Sequence, residues 1–363
     1  MTYKLLTPGP LTTTLTVRQQ MLEDRCTWDD DYKQVTQTIR KQLLEIAGLN
    51  EADYTTILMQ GSGSFTVESV LTSTVKDTDK VLFLTNGAYG ERMVQMAKAI
   101  GLAHTVYAVE YDEHPNVEEV RNLLQNDDSI THIAMVHCET TTGILNPIAA
   151  IGQLANEMDK TFIVDAMSSF GGLPIDIEGS HIDYLISSAN KCIQGVPGFG
   201  FVIAKRATFS QCEGVARSVS LDLYDQWQVM DVDGKWRFTS PTHVVGAFYQ
   251  ALGELMEEGG IDKRYERYQS NNALLRKQFE ALGFKAYISE EKQSPIITTF
   301  LFLNEQFSFD HFYETMKEQG FVLYPGKLTE VDTFRVGNIG DIHEQDIETL
   351  CQIVKNYVEV LAV

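Results

Sequence analysis

Basic residues are scarce in this chain: 29 lysines and arginines stand against 50 aspartates and glutamates in 363 residues, a formal net charge of −21. That balance argues against nucleic acid or an anionic membrane as the main partner, since both are bound by cationic surfaces, and any anionic ligand has to be caught by local positive charge. Cysteine is sparse as well. Cys26, Cys138, Cys192, Cys212 and Cys351 are an odd number without CxxC spacing, which argues against a disulfide framework or a zinc site and points to a reducing cytoplasm. Cys192, although it follows Lys191, reads as a small buried apolar residue rather than a nucleophile. No apolar run approaches the roughly 20 residues of a membrane span, and the start MTYKLLTPGPLTTT lacks the basic region and apolar core of a signal peptide. A soluble protein without a metal site is expected.

What the chain does contain is an alternation of periods. Residues 1–15, with Pro8-Gly9-Pro10, read as an irregular arm, because two prolines remove backbone donors. Strand-like runs at Thr55–Met59, Lys80–Leu84, His104–Val109, Ile133–His137, Thr161–Val164 and Ile182–Ser187 are separated by helix-period segments at 65–75, 91–100, 117–125 and 151–158. Such alternation predicts an α/β fold with a mainly parallel sheet covered on both faces. A run at Phe201–Ala204 is expected antiparallel or at the edge, and a helix over 244–258 ends at Gly259-Gly260. Beyond it the pattern changes to helix 262–282, strand 296–303, helix 309–318, a strand with Phe321–Tyr324, a strand carrying Arg335, and helix 344–360. The expected organisation is therefore an arm (1–15), a large α/β domain (16–258) and a smaller α+β domain (259–363).

Ligands of open α/β sheets gather beyond the carboxyl ends of the strands, so chemistry is expected in the loops there. Asp165 closes one apolar strand and Lys191 follows the next, which brings a carboxylate and an amine towards one cavity. Each has a plainer reading, as a helix cap or as a solvated surface charge. Gln60-Gly-Ser-Gly-Ser64 runs from a strand into a helix, a shape that presents free amides to a phosphate and that also suits a plain strand-to-helix turn. It lacks the Gly-Lys-Ser/Thr ending of a Walker loop and the third glycine of a dinucleotide turn. Asn86-Gly-Ala-Tyr89-Gly offers a flat ring, Glu139-Thr-Thr-Thr-Gly143 offers hydroxyls, and Arg335 sits amid apolar neighbours, either as an ion-pair partner or as a fork for an oxyanion. Cys26-Thr-Trp-Asp-Asp-Asp reads as an acidic helix start. A phosphate cradle, a flat aromatic, a strand-end carboxylate and a lysine together suit pyridoxal 5′-phosphate, whose ring acts as an electron sink when its nitrogen is held protonated.

Over nearly its whole length the chain resembles the fold type I, class V aminotransferases. The resemblance is carried by Thr7-Pro-Gly-Pro-Leu-Thr, Cys26-Thr-Trp-Asp-Asp-Asp, Gln60-Gly-Ser-Gly-Ser, Asp165-Ala-Met-Ser-Ser-Phe-Gly-Gly and Ser187-Ser-Ala-Asn-Lys-Cys-Ile-Gln-Gly-Val-Pro-Gly. It implies a seven-stranded, mainly parallel sheet binding pyridoxal phosphate, with Lys191 as the residue that carries the cofactor and shuttles a proton, and Asp165 paired with the ring nitrogen. It further implies Ser62, Gly63, Ser64 and Asn190 at the phosphate, Thr239 reaching it from the second subunit of a homodimer, Tyr89 on the ring, Thr140 near its phenolic oxygen, and Arg335 on the substrate's anionic group. The activity implied is transamination between 2-aminoethylphosphonate and pyruvate, with a serine, alanine or glyoxylate aminotransferase, or a related lyase acting on a hydroxylated aminoethylphosphonate, as the alternatives.

Overall fold

The structure is a computed structural model of the chain and describes residues 3–326, 328 and 330–361. Its first half is built from β1 (Lys4–Leu5), α1 (Leu15–Gln19), α2 (Asp30–Ile46), β2 (Tyr54–Gln60), α3 (Gly63–Thr74), β3 (Lys80–Thr85), α4 (Ala88–Ile100), β4 (Ala103–Ala108), α5 (Val117–Asn126), β5 (His132–Val136), the short hairpin β6 (Cys138–Glu139) and β7 (Ile144–Leu145), and α6 (Ile148–Glu157). There follow β8 (Thr161–Asp165), β9 (Tyr184–Ser188), β10 (Phe199–Lys205), α7 (Arg206–Phe209), α8 (Leu223–Asp233), α9 (Thr242–Glu258) and α10 (Gly260–Ala281). The chain closes with β11 (Ile297–Leu301), α11 (Phe309–Glu318), β12 (Phe321–Val322), β13 (Tyr324–Pro325), β14 (Thr333–Gly337) and α12 (Glu344–Leu361).

Seven strands form one sheet in the order β2-β10-β9-β8-β5-β3-β4, parallel except for β10. Successive residues of one strand enter different cores: Leu82 and Leu84 pack on one side with Phe162 and Val164, while Val81, Phe83 and Ile163 pack on the other. Both faces are therefore dry, which is why these strands read as continuous apolar runs instead of alternating ones. Each fully buried Leu or Phe contributes about 1.5–3 kcal/mol, so the two cores fix the register of the strand ends that carry the polar residues. β10 does not lie at the edge. It pairs antiparallel with β2 on one side and β9 on the other, and its Phe199–Ala204 segment is buried throughout.

A smaller sheet, β11-β14-β13, packs with α10, α11 and α12 around Phe279, Phe284, Phe300, Phe312 and Phe334. The strand expected at Phe321–Tyr324 is divided, because β12 pairs with the arm and β13 with β14. The arm is likewise not wholly irregular. β1 runs parallel to β12, and Gly337 N donates to Leu6 O at 2.9 Å, so the arm is bonded to the smaller sheet. The acidic run opens α2, with Asp29 as its cap and Asp30 and Asp31 in its first turn, where carboxylates oppose the helix dipole. Gly259 does end α9, at φ +107, but α10 begins directly afterwards. Among the described residues no helix is long and apolar enough to cross a membrane, and no cluster of three or more metal-ligating side chains occurs.

Candidate active site

A cavity of about 240 Å³ opens where β2, β8 and β9 end, lined among others by Ser62, Gly63, Ser64, Tyr89, Arg92, Asp165, Asn190 and Lys191. The turn after β2 feeds α3, whose cap residue Ser62 makes no capping bond with its side chain. The positive end of that helix therefore borders the cavity, and Gly63 lies so close to Met167 that a Cβ would come within 2.4 Å of its sulfur. Arg92 Nη1 donates to Ser64 Oγ at 3.4 Å, and its guanidinium lies 5.0 Å from the centre of the Tyr89 ring.

Asp165 is held at the end of β8 by a bond from Met167 N to its Oδ1 at 2.9 Å. Burial pushes its carboxyl up to about 6, with that backbone bond and the charges of Lys191 and Arg92 opposing the shift. Lys191, beyond the end of β9, donates from Nζ to Pro8 O at 2.7 Å. Burial lowers its pKa, with Tyr89, Cys192 and Asp165 among the groups that oppose the shift. An acid raised and a base lowered, facing one cavity, is the pattern of groups kept for chemistry or for a charged ligand rather than for surface solvation.

Tyr89 is placed by a buried carboxylate. The sequence puts it in a loop, but α4 begins at Ala88, and Glu139 Oε2 accepts from the amides of Tyr89 and Gly90, each at 3.2 Å. Glu139 Oε1 accepts from Thr141 N at 3.1 Å and Thr141 Oγ1 at 2.6 Å. The same loop anchors Arg335: Nη1 donates to Thr140 O at 2.8 Å and Nε to Pro325 O at 2.9 Å, while Tyr89 is also a side-chain hydrogen-bond partner of the guanidinium. Arg335 is 1% exposed, and among the described residues no carboxylate lies within ion-pair distance of it. Burial depresses its pKa, yet a guanidinium keeps its charge at any working pH.

The structure thus gathers Ser62, Gly63, Ser64, Tyr89, Asp165, Asn190 and Lys191 on one cavity wall and sets Arg335 and Thr140 just behind it. Thr239 stands apart. It is exposed and lines a separate surface recess with Trp28, Lys235 and Phe238. Sequence reading missed Arg92, Met167 and Glu139. Arg92 follows Tyr89 by three residues, a spacing that shares one helix face, and the signal is visible once the helix is started at Ala88.

This donor set fits pyridoxal phosphate: a helix terminus with hydroxyls for the phosphate, a buried carboxylate for the ring nitrogen and a desolvated amine for the aldehyde. The family model for class-V aminotransferases matches residues 26–329, and the chain belongs to that family. Its cofactor is accordingly pyridoxal 5′-phosphate. Among curated relatives, the 2-aminoethylphosphonate–pyruvate transaminase of Lysinibacillus sphaericus is 67% identical over 358 residues, covering 99% of this chain and 98% of its own. A protein of the same name from Bacillus cereus is 57% identical over 349 residues, 96% of each chain. In fold, the chain is similar to an alanine–glyoxylate aminotransferase from Nostoc sp. (TM-score 0.89, 22% identity, 98% and 95% coverage). A pyridoxamine–pyruvate aminotransferase from Mesorhizobium loti is similar too (TM-score 0.90, 20% identity, 100% and 93%).

Proposed function

We propose that the protein transfers the amino group of 2-aminoethylphosphonate to pyruvate, releasing phosphonoacetaldehyde and L-alanine. The observation that carries the reaction class is the single cavity wall shared by Lys191, Asp165 and the Ser62–Ser64 turn. The substrate pair rests on near full-length identity to transaminases of that name. Bound in the cavity, pyridoxal phosphate withdraws electrons from the carbon that bears the amine and stores the amino group between the two half-reactions. Every other task falls to the chain. Asp165 keeps its charge by pairing with the ring nitrogen, which reverses the effect of its burial. Ser62, Gly63, Ser64 and Asn190 would hold the phosphate, and Tyr89, fixed by Glu139, would face the ring. Lys191 would anchor the cofactor, and its Nζ, once the substrate amine had taken that place, would accept the proton from the carbon bearing the amine and hand it to the cofactor.

Arg335 would hold the substrate's oxyanion, braced by the Thr140 carbonyl, and Thr140 would bond the cofactor's phenolic oxygen. A planar fork serves phosphonate and carboxylate in turn, whereas a lysine offers only a point charge. We further infer a homodimer in which Thr239 of one subunit completes the phosphate site of the other, since Thr239 is exposed beside Trp28 and Phe238. A cytoplasmic setting accords with five cysteines that form no disulfide. The deciding experiment mixes the purified protein with pyruvate and a panel of amines, following alanine formation and the cofactor's absorbance. Alanine is expected with 2-aminoethylphosphonate. Absence of a cofactor band would overturn the reaction class, and turnover of serine alone would overturn the substrate.

A further inference from the structure

The amino-terminal arm reaches the site at Lys191, by a contact of backbone to side chain. Lys191 Nζ donates to the carbonyl of Pro8 at 2.7 Å, across a separation of 183 residues. Gly9 follows at φ +115, a conformation that side-chain-bearing residues rarely adopt, and a Cβ there would stand 2.8 Å from both Cδ and Nζ of Lys191. Glycine is therefore required twice, for the backbone turn and for the space occupied by the lysine. The carbonyl is held firmly in place. Thr7 Oγ1 donates to Pro10 O at 2.5 Å and accepts from Gly9 N at 3.3 Å, and Leu5 N donates to Thr12 Oγ1 at 2.7 Å. A Cβ at Gly337 would stand 2.5 Å from Thr7 O, so this turn lies against β14, two residues from Arg335.

We propose that the Pro8 carbonyl, kept accessible by Gly9, is the dock for the free amine of Lys191 whenever the cofactor is bonded to something else. This rests on the reading of Lys191 as the cofactor's anchor. A desolvated ammonium left without an acceptor is costly, and a carbonyl that accepts from it lowers that cost without offering a competing carboxylate. The dock keeps the amine at the cavity wall, poised to move a proton, and opposes its premature return to the cofactor. It is also carried by the strand of Arg335, so the groups that hold the lysine and the substrate's anion are joined through β14.

The test compares two cofactor forms on the cofactor-free protein. Pyridoxamine phosphate leaves Lys191 free before and after binding, whereas pyridoxal phosphate has to draw it off the dock. In Gly9→Ala the dock is blocked, so the ratio of the dissociation constant for pyridoxamine phosphate to that for pyridoxal phosphate should rise about ten- to a hundred-fold, the usual worth of a hydrogen bond to a charged group. An unchanged ratio overturns the dock, even if both affinities fall together. If the wild-type protein binds neither form, the reading of the site fails instead. A second measurement needs no change at Gly9: in cofactor-free Lys191→Met, the Gly9 amide should exchange its hydrogen about ten-fold faster while the Leu6 amide, bonded to Val322 O, is unaffected. Equal exchange of Gly9 in both proteins overturns the proposal.

Discussion

Two arginines, each almost wholly withdrawn from water, have opposite surroundings. Arg40, on α2, donates to Thr56 O at 2.7 Å, Met230 O at 3.0 Å, Gln37 Oε1 at 2.6 Å and Thr55 Oγ1 at 3.1 Å, and forms an ion pair with Asp231. Its charge is matched and its donors are used, and the group ties α2 and α8 to β2. Arg335 has two carbonyls, the Tyr89 contact and the Tyr324 ring at 5.0 Å, with no carboxylate at ion-pair distance among the described residues. A buried cation without an anion is costly unless the missing charge arrives from outside. Burial by itself therefore does not separate the two arginines; the matching opposite charge at ion-pair distance does.

The largest effect that would sharpen this contrast is on turnover. Arg335→Leu should lower kcat/KM for both 2-aminoethylphosphonate and pyruvate by about 10²–10⁴-fold, the loss of two charge-assisted bonds, and should cost less stability than loss of Arg40, since the groups that lose a donor are the Thr140 and Pro325 carbonyls and Tyr89. If the variant instead unfolds as readily as an Arg40 variant, the two arginines are alike and the contrast is broken. Arg40→Leu removes five bonds of a buried guanidinium and leaves Asp231 only its 3.4 Å contact with Arg206, and should cost about 3–5 kcal/mol of stability, while kcat/KM of the folded fraction stays near wild type. Denaturant unfolding alongside steady-state kinetics separates the two outcomes.

Asp165 gives a smaller, pH-dependent effect. Its folded-state value of about 6 lies above the ordinary value of 3.8, so the folded carboxyl keeps its proton longer than the unfolded one. Stability of the cofactor-free protein from this group is then greatest at low pH, falls as the pH rises between those values, and carries a penalty of up to about 3 kcal/mol above them. Asp165→Asn should therefore stabilise the cofactor-free protein near neutral pH and lose that advantage at about pH 4, while weakening cofactor binding. Equal unfolding midpoints for variant and wild type at neutral pH would contradict the assigned burial cost. Last, Arg335→Lys keeps the charge but loses the fork, and a fall in kcat/KM of about ten-fold is expected for both anions. A full return to wild-type kinetics would show that charge alone suffices.

Much of the frame was legible because burial on both faces is written locally. The apolar runs that became β3, β5, β8 and β9 could be read as covered strands, and strand ends then pointed to Asp165 and Lys191. β10 was expected antiparallel or at the edge, and of these the structure has the antiparallel strand in an interior place, because neighbours are not encoded in an apolar run. Tyr89 was found but set in a loop, since the helix that carries it is capped by Glu139, a residue 50 positions away. That misplacement hid Arg92 on the same helical face.

By itself, then, the sequence determined the α/β alternation, the glycine-serine turn that leads into a helix and the two strand-end groups, for these depend on periodicity and on residues within a few positions of one another. Only the tertiary structure decided what each group faces. Lys191 meets Pro8 across 183 residues and Arg335 meets Thr140 across 195. Both acceptors are backbone carbonyls, which every residue possesses, so no side-chain pattern announces them. Loop-closure entropy grows only slowly with separation, so distance along the chain sets no limit on which carbonyl is chosen. That choice was made by the packing of the arm against β12 and β14, and it turned a lysine placed at a strand end into one held by a specific partner.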